Sequence, residues 1–152
     1  MEKKEKEMNV EKLSFKDVET LKKVLDKVNM NGLDETVVSD VLVAVALVAD
    51  AYNTFEIRVK AINEKLPERL KEYNKNPEKE YDEKEVAVIN RYYGAWQETF
   101  SKARETILDS KSSVLLEDIK VLSKKQLADW LKANKGEIKI IDSAILYKLM
   151  LK

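Results

Sequence analysis

Carboxylates at helical spacing are the first residues in this chain that could do chemistry. Glu64, Glu68 and Glu72 recur every four positions, a spacing that places side chains on one face of an α-helix. Carboxylate oxygens on one face could bind Ca²⁺ or Mg²⁺. Basic residues lie among them, at Lys60, Lys65, Arg69 and Lys71. Because such mixed charge usually forms a solvated face with weak ion pairs, we expect no metal site here.

Residue types that most enzymes need are missing from the 152-residue chain. It has no histidine and no cysteine, which excludes histidine-based triads, thiolate metal sites and disulfides. Its three glycines are Gly32, Gly94 and Gly136, and they lie too far apart for a phosphate-binding loop. The sequence therefore predicts a protein that is not an enzyme, with no catalytic residue, no metal and no cofactor.

Lysines in the C-terminal third could bind nucleic acid. The whole chain is neutral, with 28 basic and 28 acidic residues, but from Lys111 onward nine lysines and five acidic residues give +4. The candidate nucleic-acid-binding residues are Lys124, Lys125 and Lys132. The segment has no arginine, the side chain best suited to phosphate and base contacts. A solvated rim is the favoured interpretation, and binding to nucleic acid is the alternative.

A group of residues around Tyr92 could bind another protein. Tyr92 lies one turn before Trp96 and off the main apolar stripe, and we expect the small or polar residues Asn90, Gly94 and Ser101 to form a strip beside it on the helix. Glycine costs a helix about 1 kcal/mol relative to alanine, so the close approach of another backbone would explain Gly94. The alternative is that these residues pack on the first helix or are simply tolerated. The candidate partner-binding residues are therefore Tyr92, Gly94, Asn90 and Ser101.

Two long amphipathic helices must position these residues. Apolar residues recur every three or four positions in two stretches, one with Val41, Val45, Val48, Tyr52, Phe55, Val59, Ile62 and Leu66, the other with Val86, Ile89, Tyr93, Trp96, Phe100, Ala103 and Ile107. This spacing is typical of helices that pack lengthwise on each other. The stretches predict an antiparallel coiled-coil hairpin with helices at 34–73 and 82–108. Pro67 predicts a kink or break, and the turn lies around Pro77.

Residues 37–49 of the second helix are apolar on nearly every side. A helix of this kind must be covered from several directions, and we expect the first helix and the C-terminal segment to cover it. The longest apolar run, Val41–Ala49, has nine residues, whereas a membrane-spanning helix needs about 20. We therefore expect a cytoplasmic protein that does not span the membrane.

Capping residues predict the helices outside the hairpin. Ser14, with Asp17 three residues later, predicts a helix at 15–30 that ends at Asn31-Gly32. Residues 1–9 are highly charged, which predicts disorder, and 10–152 are expected to form a single domain.

Two capped helices are also predicted in a C-terminal module at 114–152. Ser123 with Gln126 begins one of them, and Asp142 begins the other. Before each cap lies a short run of alternating residues, at 118–123 and 137–142. We interpret these runs, with a fainter run of the same kind at 9–13 before Ser14, as strands of a small two- or three-stranded patch.

The order of these parts resembles that of small uncharacterised helical-hairpin proteins of bacteriophages, prophages and related mobile elements. The residues that carry the resemblance are Val10–Leu13 with Ser14, the hairpin tip Lys65–Lys84, and Leu116–Leu122 followed by Ser123 to Leu127. The helix at Asp142–Lys152 departs from that pattern. The resemblance concerns layout and includes no diagnostic motif. It implies an assembly or accessory role rather than an enzymatic one.

Together these features predict a mainly α fold, a long antiparallel helical hairpin with an N-terminal helix and a small C-terminal α/β cap. The function that we expect is non-catalytic protein–protein interaction or assembly through a hairpin surface. The partner is another protein or a second copy of the chain, as in a homodimer. The alternative is a small nucleic-acid-associated regulator that uses the lysine-rich C-terminal third.

Overall fold

The computed structural model of the protein describes residues 11–75 and 80–152. Within these residues the chain is mainly helical, with a small two-stranded antiparallel sheet. The predicted disorder at 1–9 and the predicted turn at Pro77 lie outside the described residues. The elements in chain order are β1 (Lys12–Ser14), α1 (Phe15–Leu25), α2 (Glu35–Asn63), α3 (Glu68–Lys75), α4 (Glu83–Asp109), β2 (Lys111–Leu115), α5 (Leu116–Ile119), α6 (Lys124–Ala133) and α7 (Ile140–Met150).

Two compact units divide the chain, and each is described by itself. The core unit comprises the described residues up to Thr54 together with Asp109–Lys152, and the hairpin unit is Phe55–Leu108. No helix in the described part of the chain is long and apolar enough to cross a membrane.

One apolar cluster fills the core unit, and it joins three parts of the sequence. Side chains of α1, of the first half of α2 and of the C-terminal segment pack together. The large side chains among them that are fully buried are Val18, Leu21, Val41, Val48, Ile119, Leu122, Leu127, Trp130, Leu146 and Met150. The structure therefore confirms that the first helix and the C-terminal segment cover α2.

The cover on α2 is one-sided, which corrects the expectation that residues 37–49 are covered from several directions. Val41, Ala44 and Val48 are buried, but Leu42 and Val43 on the far side are 49% and 58% exposed. Burial follows the helical period, so a helix that packs against the core on one side leaves its other side to solvent. An apolar composition does not by itself ensure a second covering layer.

The sheet lies mostly elsewhere than predicted, since only the fainter run at 9–13 overlaps a strand, at residues 12 and 13 of β1. Strands β1 and β2 pair antiparallel, whereas 118–123 and 137–142 do not form strands. In the first run, Ile119 at the end of α5 and Leu122 just after that helix are both fully buried in the same core. Only Leu122 keeps a strand-like contact there, a single parallel bridge to Leu151.

The first helix ends earlier than predicted, at Leu25 instead of residue 30. Its start is as expected, because the Ser14 hydroxyl accepts the Asp17 N–H at 3.2 Å. At the other end the backbone of Asn29 bonds to α6. The Asn29 carbonyl accepts the Trp130 indole N–H at 2.7 Å, and its own N–H donates to Asn134 Oδ1 at 3.0 Å. These contacts replace the bonds that would continue the helix.

The last helix begins three residues earlier than predicted, at Ile140. Asp142 was expected to precede the helix, but it lies inside its first turn. From there its Oδ2 accepts the Lys139 N–H at 2.9 Å and lies 3.2 Å from Lys27 Nζ. The capping pair of Ser123 and Gln126 is confirmed at the start of α6, with both reciprocal bonds formed.

Replacing Asp142 with Asn should destabilise the protein at neutral pH but not in acid. The Lys139 N–H, and to a smaller extent Lys27, hold the pKa of Asp142 below its ordinary value, although burial opposes them. The carboxylate's contribution is therefore complete above about pH 3.9 and is lost as pH falls through the lower folded-state pKa. We expect a loss of about 1 kcal/mol at pH 7, the difference between a hydrogen bond to a charged acceptor and one to a neutral acceptor. Thermal melts of both proteins should converge as the pH approaches 2, and Asp118→Asn is the exposed control.

The hairpin unit contains the end of α2, the short helix α3 and the long helix α4. Helix α2 ends at Asn63 and α3 begins at Glu68, so the break predicted at Pro67 is confirmed. Elsewhere in the hairpin unit, the Arg104 guanidinium lies 5.5 Å from the centre of the Phe55 ring. Several predicted seam residues, among them Val59, Trp96 and Phe100, are only half-buried. The predicted long hairpin is therefore confirmed only in part. Its long helices are present, but their apolar stripe is incompletely buried.

Candidate partner-binding surface

Helix α4 positions all four candidate partner-binding residues. It begins where expected, because Asp82 Oδ1 accepts the Glu85 N–H at 2.8 Å. Two glutamates, Glu83 and Glu85, lie in its first turn, where negative charge favours the helix dipole. The helix then runs without interruption through Gly94 to Asp109. The candidate residues are therefore held on a regular helix rather than on a loop.

The regular helix separates Tyr92 from the other three candidates. Successive residues of an α-helix are rotated by about 100°, so Asn90, Gly94 and Ser101 share one face and Tyr92 points to the opposite side. All four residues are exposed, Tyr92 by 49%. The four candidates thus form two surfaces. Asn90, Gly94 and Ser101 make a polar, small-residue strip, and Tyr92 lies with exposed Val88 one turn before it.

Gly94 meets no close neighbour among the described residues. A Cβ atom built on it would have no heavy atom within 4 Å outside its own helix. The structure therefore gives no packing reason for glycine at this position.

Replacing Gly94 with alanine should stabilise the hairpin unit by about 1 kcal/mol, the difference between the two residues in a helix interior. Chemical denaturation followed by circular dichroism would measure it. A destabilised variant would show that the backbone around Gly94 is not an ordinary exposed helix.

An aromatic groove of about 370 Å³ borders the small-residue strip. Tyr93, Trp96 and Phe100 line it, and the Trp96 and Phe100 rings lie 6.3 Å apart in a tilted arrangement. Ser101 joins the groove to the strip. The sequence assigned these three aromatic residues to a buried seam. They are instead partly accessible, because two helices alone cannot enclose side chains of this size.

A second cavity, of about 320 Å³, lies where α3 approaches the start of α4. Tyr81 helps to form it, and the Tyr81 ring lies 5.5 Å from that of Tyr73. The polar lining residues include both acidic and basic side chains, and Val88 connects the cavity to the surface around Tyr92. The lining residues are Glu72, Tyr81, Asp82, Lys84, Glu85, Val88 and Ile89.

The glutamates considered for metal binding do not share one helix. Glu64 lies beyond the end of α2, whereas Glu68 and Glu72 belong to α3. Glu68 Oε1 lies 3.6 Å from Lys71 Nζ, an exposed pair of the kind that mixed charge predicts. In the described ranges no three or more acidic residues are grouped so that they could hold a metal ion.

The candidate nucleic-acid-binding lysines are all exposed on α6. Lys124 and Lys125 are its first two residues and Lys132 lies in its last turn. The pKa of Asp34 is lowered, chiefly by hydrogen bonds from the N–H and hydroxyl of Thr36 and in smaller part by the charge of Lys125. Lys125 therefore lies close enough to Asp34 for the two charges to attract each other.

Comparison with known proteins adds no assignment to this surface. No protein-family model, no curated protein and no solved structure matches the chain. The candidate surface consequently rests on its own geometry and chemistry.

Proposed function

We propose that this chain is a non-catalytic interaction or assembly protein that binds a protein partner through helix α4, in the manner of accessory proteins of phages and mobile elements. The observation that carries the proposal is the aromatic groove formed by Tyr93, Trp96 and Phe100. The binding element in this proposal is one arm of a long antiparallel hairpin. The partner is a different protein or a second copy of the chain.

Aromatic side chains in a groove suit an apolar anchor of a partner. Tyr and Trp are over-represented among the residues that dominate binding energy, and they are most effective when a partner completes their burial. Trp96 and Phe100 are half-buried before any partner arrives, so little ordering of their side chains is needed on binding. The open strip at Gly94 and Ser101 allows a partner backbone to approach beside the groove.

Affinity capture from the native cell, read by mass spectrometry, tests this proposal together with light scattering on the purified protein. Ser101→Arg places a long charged side chain at the edge of the groove and should weaken capture or self-association about tenfold or more. Ala95→Arg is the matched control, because residue 95 lies on the same helix, is exposed and points about 100° or more away from every residue of α4 that lines the groove. It should leave binding unchanged.

Two results would contradict the proposal. One is a strictly monomeric protein that captures nothing. The other is loss of binding in both arginine variants, which would point to charge or stability rather than to the groove. Retention of DNA or RNA by the wild type, weakened by Lys124→Glu with Lys125→Glu and by added salt, would favour the nucleic-acid alternative.

A further inference from the structure

An exposed apolar patch lies on α2 in the core unit. It is far along the sequence from the residues of α4 that line the proposed groove. Leu42, Val43, Ala46 and Leu47 are all exposed. They occupy positions i, i+1, i+4 and i+5 of one regular helix, so their side chains form a continuous surface. Single exposed leucines need no explanation, but a contiguous apolar patch with a polar rim is typical of interaction sites.

The rim of this patch is acidic. Asp40 and Asp50 are exposed at its two ends, with Glu35 further toward the start of the helix. From residue 28 to residue 57 the chain has no lysine or arginine, although it has 28 of them in total. The acidic residues of the same stretch are Asp34, Glu35, Asp40, Asp50 and Glu56. An exposed apolar surface on a stretch of chain whose own charges are all acidic is complementary to a partner of the opposite sign.

The same charges argue against other occupants of the patch. Two copies of α2 packed antiparallel through Val43 and Ala46 would bring Asp40 of one copy close to Asp50 of the other, and like charges at an interface are unfavourable. An anionic lipid surface attracts basic segments, and this face has none. A partner that carries positive charge on both sides of an apolar stripe avoids both conflicts.

We propose that the α2 patch binds a cationic amphipathic helix of a partner protein. Apolar residues of that helix would pack on Leu42, Val43 and Leu47, and its lysines or arginines would lie against Asp40 and Asp50. This is a helix-on-helix mode of recognition, in which residues at i, i+3, i+4 and i+7 are the anchors. The proposal does not depend on the α4 groove, and either surface can fail its test without the other.

A labelled synthetic peptide of leucine and lysine, about four helical turns long, is a direct probe. Its leucines occupy one helical stripe, and a second peptide has glutamate in place of every lysine. Fluorescence anisotropy with the full chain should show binding of the lysine peptide about tenfold or more tighter than binding of the glutamate peptide. Added salt should weaken that binding. Equal affinity for both peptides, or no binding of either, would overturn the proposal.

Paired variants locate the binding site. Leu42→Gln with Val43→Gln removes the apolar surface, and Asp40→Lys with Asp50→Lys reverses the rim; each should weaken binding of the lysine peptide about tenfold. Both alter exposed positions, so the helical circular-dichroism signal and the melting temperature check that folding is retained. Ile140→Gln with Ile141→Gln is the matched control, because those isoleucines are 91% and 68% exposed elsewhere in the core unit. A similar loss in the control would mean non-specific adsorption and would sink the idea.

Discussion

Replacing Gly32 with alanine should lower the stability of the protein by about 3 kcal/mol, from steric overlap and backbone strain together. Gly32 has φ +87°, in the left-handed region where a Cβ is unfavourable. A Cβ at this position would lie 2.5 Å from Ala133 Cβ and 2.7 Å from the carbonyl oxygen of Asp129. Both atoms belong to α6. One is a Cβ attached directly to the helix backbone and the other is a backbone oxygen, so neither can rotate away. The chain after α1 can approach α6 this closely only with glycine.

Thermal and urea denaturation of Gly32→Ala would measure the loss, which corresponds to a melting temperature lower by about 10 °C for a chain of this size. Gly136→Ala is the control, because a Cβ at residue 136 would meet nothing within 4 Å. The control should change stability by less than about 0.5 kcal/mol. If Gly32→Ala and the wild type melted at the same temperature, the close contact between this turn and α6 would be contradicted.

Asn134→Ala should also destabilise the protein by about 3 kcal/mol, because buried backbone groups lose their partners. Asn134 is 1% exposed. Its Oδ1 accepts the Asn29 N–H at 3.0 Å, and its Nδ2 donates to the carbonyls of Asn29, Asn31 and Trp130 at 3.3, 3.4 and 3.0 Å. Alanine satisfies none of these groups.

Denaturation with hydrogen exchange would separate this effect from a general loss of packing. The Asn29 amide proton should exchange faster in Asn134→Ala than in the wild type, beyond the change of global stability. Asn53→Ala, at an exposed position of α2, is the matched control and should be neutral or slightly stabilising because alanine favours helix. If the Asn29 proton stayed as protected as before, the hydrogen bond to Asn134 would not be the one that holds this turn.

Local signals in the sequence were sufficient for most helix starts. Ser14, Asp82 and Ser123 accept the backbone N–H groups that their capping patterns predict, because a cap needs only residues within one turn of each other. Pro67 likewise interrupts the helix, because its ring is not compatible with a helix interior. The spacing of apolar residues identified α2 and α4, since such residues recur along one side of each helix over many turns.

The parts that depend on distant residues could not be predicted in this way. Helix α1 ends at Leu25 because Trp130 and Asn134, about a hundred positions later, bond to Asn29. The sheet pairs Lys12–Ser14 with Lys111–Leu115, and no local pattern specifies such a partner. The exposed patch on α2 was missed for the related reason that apolar composition does not reveal which side lacks a neighbour.

The candidate site was predicted at the level of the helix but not of the face. The prediction placed the strip of Gly94 beside Tyr92, whereas a regular helix sends these two residues to opposite sides. The aromatic groove was hidden in the sequence because Tyr93, Trp96 and Phe100 fit the seam pattern. The size of these three rings could have indicated the groove, since a pair of helices is too thin to bury them all.

Each compact unit contains one of the two tryptophans, and this gives the protein an optical label in each half. Trp130 is buried in the core unit with its indole N–H bonded to Asn29, whereas Trp96 borders a groove in the hairpin unit. Trp96→Phe and Trp130→Phe would yield proteins whose ultraviolet emission reports on a single unit. Quenching by acrylamide should affect Trp96 emission more strongly than Trp130 emission. Ligand titrations could then be assigned to one half of the molecule without any attached dye.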